Sequence, residues 1–418
     1  MGLERQRNED YFFNNINLED IKEINDRSIR LVGKSKYISL SSQNFDSLFD
    51  KIKMLKNSDV ELHGKLFLIN FDKGPYLTEE QTKKLFQVRD ELVKIGANLK
   101  VKDGDYWDLE EVLTVSTKID EVVEKIKSAT IEEHGQKRSL NEMEKFLWAY
   151  SFVANRKYRS NDLDFDASRK ITSIFHTGDC VCVGFAAILK ELCSKLGIEC
   201  YMNSVQVNNK NNQFSEGHHN NIVVLDGAAY YCDACWDCVS DKRRPRRTFA
   251  NCLNSFDDVK DLPDCTITAP SAPFCDMDGD LKDLEAKLKY IEQMDSLTEE
   301  DFKNFTNYKN IIGRYLNLVP QYEVAHTELS KSNFKEKTIY YYKQVKQLIE
   351  KRQKKEPFQV KDFETALTNI YKAMGNSEEK AQEKTKLDID ATIVEAGLIY
   401  ERNSHNCFAQ EYYNQVEV

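Results

Sequence analysis

No stretch of the 418 residues approaches the roughly 20 uninterrupted apolar residues that a membrane-spanning helix needs, so no such helix is expected. The first residues, Met-Gly-Leu-Glu-Arg-Gln-Arg-Asn-Glu-Asp, lack the apolar core of a secretory signal, and Gln6 stands where a myristoylation motif needs Ser or Thr. The expected location is therefore cytoplasmic, with export by a signal-less route left open. Positive charge is in deficit: 59 Lys and Arg against 69 Asp and Glu leave a net charge of −10, which argues against general affinity for nucleic acid and favours solubility. The helix and strand alternation near the N-terminus contains no glycine loop of the phosphate-binding kind, and no cofactor is expected.

Cysteine is present but clustered, with ten of the 11 lying between Cys180 and Cys275. An odd count in a long chain without a leader favours reduced thiols over a disulfide framework. Cys180-x-Cys182 and Cys232-x-x-Cys235-x-x-Cys238, with His218 or His219 beside them, offer thiolates to zinc or an iron–sulfur cluster. If the second run is a strand, Cys232 and Cys235 face opposite ways and cannot chelate together, so no metal is expected.

The chemistry concentrates in residues 178–237. Gly178-Asp179 signals a turn, after which Phe185, Leu189, Leu192 and Leu196 recur at helical spacing until Gly197. Cys182 then sits at a helix N-terminus, where unpaired N–H groups and the positive end of the helix dipole favour a thiolate and can hold an oxyanion. Residues 221–225 form a β-branched run, and Asp226-Gly227 predicts a two-residue hairpin turn into 228–232. That hairpin brings His218 and Asp233 near the outer ends of neighbouring antiparallel strands. A thiol, an imidazole and a carboxylate are what a nucleophile, its base and the orienter of that base require. The rivals are Cys180, in the turn before the helix; His219, expected on the opposite sheet face; and His176, six residues before Cys182 and expected in a surface loop.

These blocks carry a resemblance. Cys182-Val-Gly-Phe-Ala with Leu192 and Leu196-Gly197-Ile198 resembles the nucleophile helix of the transglutaminase-like superfamily. His218-x-x-Asn221-x-Val223 with Leu225-Asp226-Gly227 is similar to its His-x-Trp-Asn strand, and Tyr231-x-Asp233-Ala234-x-Trp236-Asp237 to its Asp-x-Thr-Trp-Asp strand. The resemblance implies Cys182 as nucleophile, His218 as general base and acid, and Asp233 as the group orienting His218. Asn220 stands where the family has Trp, and Cys235 where it has Thr. The blocks cover about a quarter of the chain.

Taking the chain in order, 28–32, 37–40, 64–71 and 98–101 read as strands and 45–55 and 78–95 as helices, a small α/β domain spanning 1–130. Helical periodicity returns at 109–126. A catalytic domain is expected over 139–262, opening with Ser139 as a helix cap and Glu142 three residues on. Residues 208–216 read as an Asn-rich loop and the basic run 241–247 as an exposed loop. Pro263, Pro270, Pro273 and the acids of 276–280 read as a linker, and 281–418 as a helical region. The expected fold is α+β: a papain-like or transglutaminase-like core with an N-terminal α/β segment and a C-terminal helical region. The expected activity is cysteine-dependent acyl transfer on amide bonds of peptides or proteins, hydrolytic as in a peptidase, amidase or deamidase. A cross-linking transglutaminase, a silent binding module and a Cys-rich metal-binding domain are the alternatives. Expected partners are the peptide or protein substrate and, through either terminal region, another protein; neither nucleic acid nor membrane is expected.

Overall fold

The computed structural model describes residues 15–17, 37–41, 45–57, 63–70, 79–103, 105–107, 109–158, 179–210, 215–239, 246–262, 265–307, 310–319, 333–353 and 360–400. The expected strand 28–32, Thr78, His176 and the core of the basic run lie outside them. The chain divides into two compact units, 1–120 and 121–418.

The first unit is built on a five-stranded sheet in sequence order: β1 (Asn15–Asn17), β2 (Tyr37–Ser41), β3 (Leu66–Asn70), β4 (Asn98–Asp103) and β5 (Asp105–Trp107). β1 to β4 run parallel and β5 returns antiparallel. Helix α1 (Phe45–Lys56) connects β2 to β3, α2 (Glu79–Lys94) connects β3 to β4, and α3 (Leu109–Ser128) follows β5. Parallel strands need such crossovers, and both put apolar residues inside: Ile52, Leu55, Val88 and Leu92 are buried with Phe67 and Leu99 of the sheet.

The second unit begins with a hairpin, β6 (Thr130–Glu133) and β7 (Gln136–Ser139), followed by helix α4 (Glu142–Ala154). The cap of α4 is Asn141, not Ser139. Asn141 and Glu144 form the reciprocal capping box, while Ser139 is spent in the ladder opposite Thr130 and Glu142 accepts from the Asp226 N–H at 3.0 Å. Two short parallel strands, β8 (Lys157–Tyr158) and β9 (Asp179–Cys180), lead into α5 (Cys182–Lys195).

The main sheet has the order β12-β11-β10-β13, all antiparallel, from β10 (Glu199–Asn209), β11 (Ser215–Leu225), β12 (Ala228–Cys232) and β13 (Cys265–Thr268). Asp226 and Gly227 both have positive φ, 47° and 76°, as the two-residue hairpin demands. β10 and β11 are each 11 residues long, so both ends of the expected loop 208–216 are strand and His218 lies inside β11 rather than at its outer end.

One sheet face packs on α5, where the Asn221 side-chain amide donates to the Ala186 carbonyl at 2.9 Å. The other face, with Val205, Val207, Ile222, Val224 and Tyr231, forms one core with the helices that follow. Those are α6 (Phe256–Val259), α7 (Met277–Gln293), α8 (Glu299–Thr306), α9 (Ile311–Tyr315) and α10 (Phe334–Gln353). The stretch read as a linker is instead part of this fold. Residues 265–268 are the edge strand β13, and the Ser271 and Ala272 N–H groups donate to buried Asn203 at 2.9 and 3.0 Å. Proline there punctuates a strand and its return, not a domain boundary.

Two last helices, α11 (Val360–Ala373) and α12 (Glu378–Tyr400), complete the unit. α11 rests on α4, where Asn369 donates to buried Glu144 at 2.7 Å and Arg138 adds a two-pronged ion pair to the same carboxylate. The basic run ends in a buried anchor rather than an exposed loop. Arg247 donates to Asn155 at 2.9 Å, to the Tyr371 hydroxyl at 2.8 Å and to Asp388 at 2.9 Å, tying the sheet's loops to α11 and α12.

Candidate functional site

α5 starts at Cys182 because Val181 before it is extended, with ψ of 175°, and has no side chain that can cap. The Gly184 and Phe185 N–H groups turn back to the Val181 carbonyl at 2.9 and 3.3 Å. The N–H groups of Cys182 and Val183 precede the first intrahelical bonds, and no cap side chain covers them. Cys180, the rival thiol, is fully buried in β9.

β11 brings His218 to this helix start, and the turn after β12 brings Asp233. The His218 Nε2 and Asp233 Oδ2 are 2.6 Å apart, with His218 7 % and Asp233 0 % exposed. Asp233 lies in the turn beyond β12 and not in a strand: its Oδ1 accepts the Trp236 N–H at 3.0 Å, and its own N–H donates to the Asn251 carbonyl at 2.8 Å. The Trp236 ring stacks on His218, with centroids 4.9 Å apart and 17° between planes, an arrangement that suits an imidazolium.

Below the turn, Asp237 is fully buried and accepts from the Tyr150 hydroxyl at 2.6 Å, the Thr248 hydroxyl at 2.7 Å and the Asn251 amides at 3.0 to 3.1 Å. Burial pushes its carboxyl up to about 6 even against these donors. Asp237 therefore fixes the segment that carries Asp233, a role that the Trp-Asp match hinted at but residue type alone did not disclose.

Cys182 is half-buried beside His218 and His219. Burial would raise its thiol; the bonds from His218 and His219 and the charge of His218 outweigh this and bring it down to about 6. Burial would likewise lower His218, and the Asp233 charge and hydrogen bond, with help from Cys182, lift it to about 10. The pair can therefore exist as thiolate and imidazolium across neutral pH. His219, expected on the sheet face opposite His218, lies two residues from Asn221 and so shares the face that packs on α5. β12 pairs with β11 only over 221–225, so the edge of β11 at 218–219 is open to the start of α5. Tyr158, 46 % exposed, borders the site; burial and the nearby Cys235, Cys182 and Glu216 push its hydroxyl up to about 12.

Among the described residues, Cys193, Cys232, Cys235, Cys238, Cys252 and Cys275 are also buried. Cys235 and Cys252 are buried thiols pushed well above their ordinary range by burial first, with Asp233 adding to the effect on Cys235 and the hydrogen bond to Cys232 adding to it on Cys252. Residues 233–238 form turns, so the strand argument against joint chelation by Cys232 and Cys235 does not hold. Among the described residues, no group of three or more His, Cys, Asp and Glu side chains is arranged to hold a metal ion.

The described fold mixes helices with a largely parallel sheet in the first unit and an antiparallel one in the second, consistent with an α+β class, and none of its described helices is long and apolar enough to cross a membrane. No family model matches the chain, and no curated protein matches it. Among solved structures, one titled "Crystal structure of a TGase" is similar at 17 % identity and a TM-score of 0.23, covering 32 % of this chain. The match spans 35 % of that structure's chain.

Proposed function

We propose that the second unit is a cysteine-dependent acyl-transfer enzyme with a papain-like or transglutaminase-like core, acting on amide bonds of peptides or proteins. The observation that carries this reading is the buried His218–Asp233 contact at 2.6 Å beside Cys182, whose thiol the two neighbouring histidines draw down to about 6. The Cys182 thiolate attacks the amide carbonyl carbon, and the resulting oxyanion takes N–H groups at the start of α5. His218, as imidazolium, gives its proton to the departing amine as the C–N bond breaks, leaving a thioester. Water then loses a proton to neutral His218 and attacks the thioester, and the thiolate leaves with a carboxylic acid as product. Asp233 keeps the His218 ring turned toward the sulfur throughout and stabilises its charged form.

The test is a screen of peptide and protein amides with the native chain and with Cys182→Ala, run with and without an added primary amine. Release of acid, with turnover lost in Cys182→Ala, supports hydrolysis. Incorporation of the amine instead makes it a cross-linking enzyme. Equal turnover by both proteins would overturn the reading.

A further inference from the structure

Asn203 and Asn220 stand opposite each other on β10 and β11, among the apolar side chains of Val205, Ile222 and Tyr231. Asn203 is 0 % exposed, and Asn220 and Tyr231 are each 1 % exposed. The Asn203 amide donates to the Asn220 side-chain oxygen at 2.8 Å, and the Asn220 amide donates to the Tyr231 hydroxyl on β12. The Asn203 oxygen in turn accepts the Ser271 and Ala272 N–H groups, so one buried series joins three strands and the segment after β13. We propose that Asn220 and Tyr231 are positioning residues for the triad, their buried bond holding Asp233 within reach of His218. This rests on the proposed roles of His218 and Asp233 and deepens them.

The placement of the bond carries the argument. The backbone ladder between β11 and β12 ends with Asn221 opposite Cys232. Asn220 and Tyr231 link the two strands at that end. His218 lies two residues out from Asn220, on the same face of β11 by alternation, and Asp233 lies two residues beyond Tyr231. The end of a ladder frays most readily, and a side-chain bond there limits how far the turn carrying Asp233 can swing from β11. The His218–Asp233 contact is 2.6 Å long, and a displacement of about 1 Å would end it as a hydrogen bond. Stability alone does not call for amides in this core, because exchanging both partners of a buried neutral hydrogen bond for apolar groups can be nearly neutral. A fully satisfied polar series does hold its strands in one arrangement. Asn220 carries no charge, and burial pushes the Tyr231 hydroxyl well above its ordinary range, so both act on His218 through geometry. The groups that act on it by charge, Asp233 and Cys182, are left in place when Asn220 or Tyr231 is changed.

The experiment follows the His218 ring against pH by NMR of isotope-labelled histidine, its signal assigned with His218→Gln, alongside denaturant titration. The proteins are the native chain, Tyr231→Phe and the double variant Asn220→Leu with Tyr231→Phe. Tyr231→Phe leaves the Asn220 amide buried without its acceptor, whereas the double variant removes both partners and should regain stability. The native ring should titrate at about 10. In both variants the folded protein should show a midpoint lower by about one pH unit, a tenfold weaker hold on the proton. A pair with a purely structural role would leave that midpoint native wherever the chain is folded. A native midpoint in Tyr231→Phe, or one that recovers together with stability in the double variant, overturns the inference while the triad stands. Tyr231→Phe removes a single oxygen and decides the matter by itself if the double variant does not fold. A native His218 that titrates at the ordinary value of about 6.5 overturns the triad reading itself, a separate result.

Discussion

Three side chains carry the proposed chemistry, and each is held by a different force. Cys182 is drawn toward ionisation by donors that outweigh its burial, His218 is held charged by the buried Asp233, and Asp233 is held by Trp236 and Asn251 main-chain groups. With the thiol drawn down to about 6 and the imidazole lifted to about 10, the proposed reactive pair is thiolate and imidazolium between those values. Activity should rise with pH through the lower limb, as the thiol loses its proton, and fall through the upper one, as His218 loses its own. A pH–rate profile of kcat/KM checks both limbs. Asp233→Asn removes the charge while keeping the shape. It should lower the alkaline limb by several pH units and reduce kcat by a factor on the order of 10³ to 10⁴, as replacement of the orienting acid does in triads of this kind.

At this scale the candidate residues were legible, and the fold brings His218 against Asp233. A cysteine after a turn signal, a histidine before a β-branched run and an aspartate after the Asp226-Gly227 turn declare themselves by residue type and order. His219 did not, because which face of the ladder meets the helix of Cys182 is not written in the sequence; in the fold Asn221 faces α5, and alternation puts His219 on that same side.

At the level of elements, the turn after β12 matters more than any strand. Asp237 collects donors from Tyr150 of α4, from Thr248 and from Asn251, and thereby joins three separate pieces of chain under Asp233. Asp237→Ala leaves all of these donors buried without a partner. It should cost about 3 kcal/mol or more of unfolding free energy, measured by denaturant titration, with activity falling further than the loss of folded protein explains. Periodicity and caps located the helices well, since Gly197 and Gly375 end α5 and α11 with φ of 78° and 85°. Capping boxes were harder to place, because Ser139–Glu142 and Asn141–Glu144 both fit the pattern. Only pairing of Ser139 in β7 decides between them. The apparent linker at 263–280 misled for a related reason: three prolines hid a short edge strand that a sheet recruits from a distance.

Over the whole molecule, the α/β character of the first unit could be read from its alternating elements. The packing of the C-terminal helices could not, because Arg247, Asn369 and Asp388 are polar residues in segments that look solvent-facing. Arg247 is 9 % exposed and Asp388 3 %. Arg247→Met leaves buried Asp388 with only the longer Arg246 contact at 3.5 Å and the Tyr371 hydroxyl, and should destabilise the chain by about 3 kcal/mol. Thermal unfolding would register this, and α12 should lose amide-exchange protection first. The fragment 121–418 should fold alone with Cys182 reactivity intact, whereas a chain ended at 353 should not, since it lacks the partners of Phe249, Arg247 and Glu144 on α11 and α12. Circular dichroism of the two fragments separates these outcomes.

The central claim is that one sulfur among many is ionised at neutral pH. Site-resolved alkylation of all the cysteines across a pH series tests it most directly. Cys182 should react first, with a midpoint near 6, while Cys193, Cys235, Cys252 and Cys275 stay silent until the chain unfolds. A Cys182 that reacts no earlier than an ordinary thiol, with its midpoint near 9, would contradict the account.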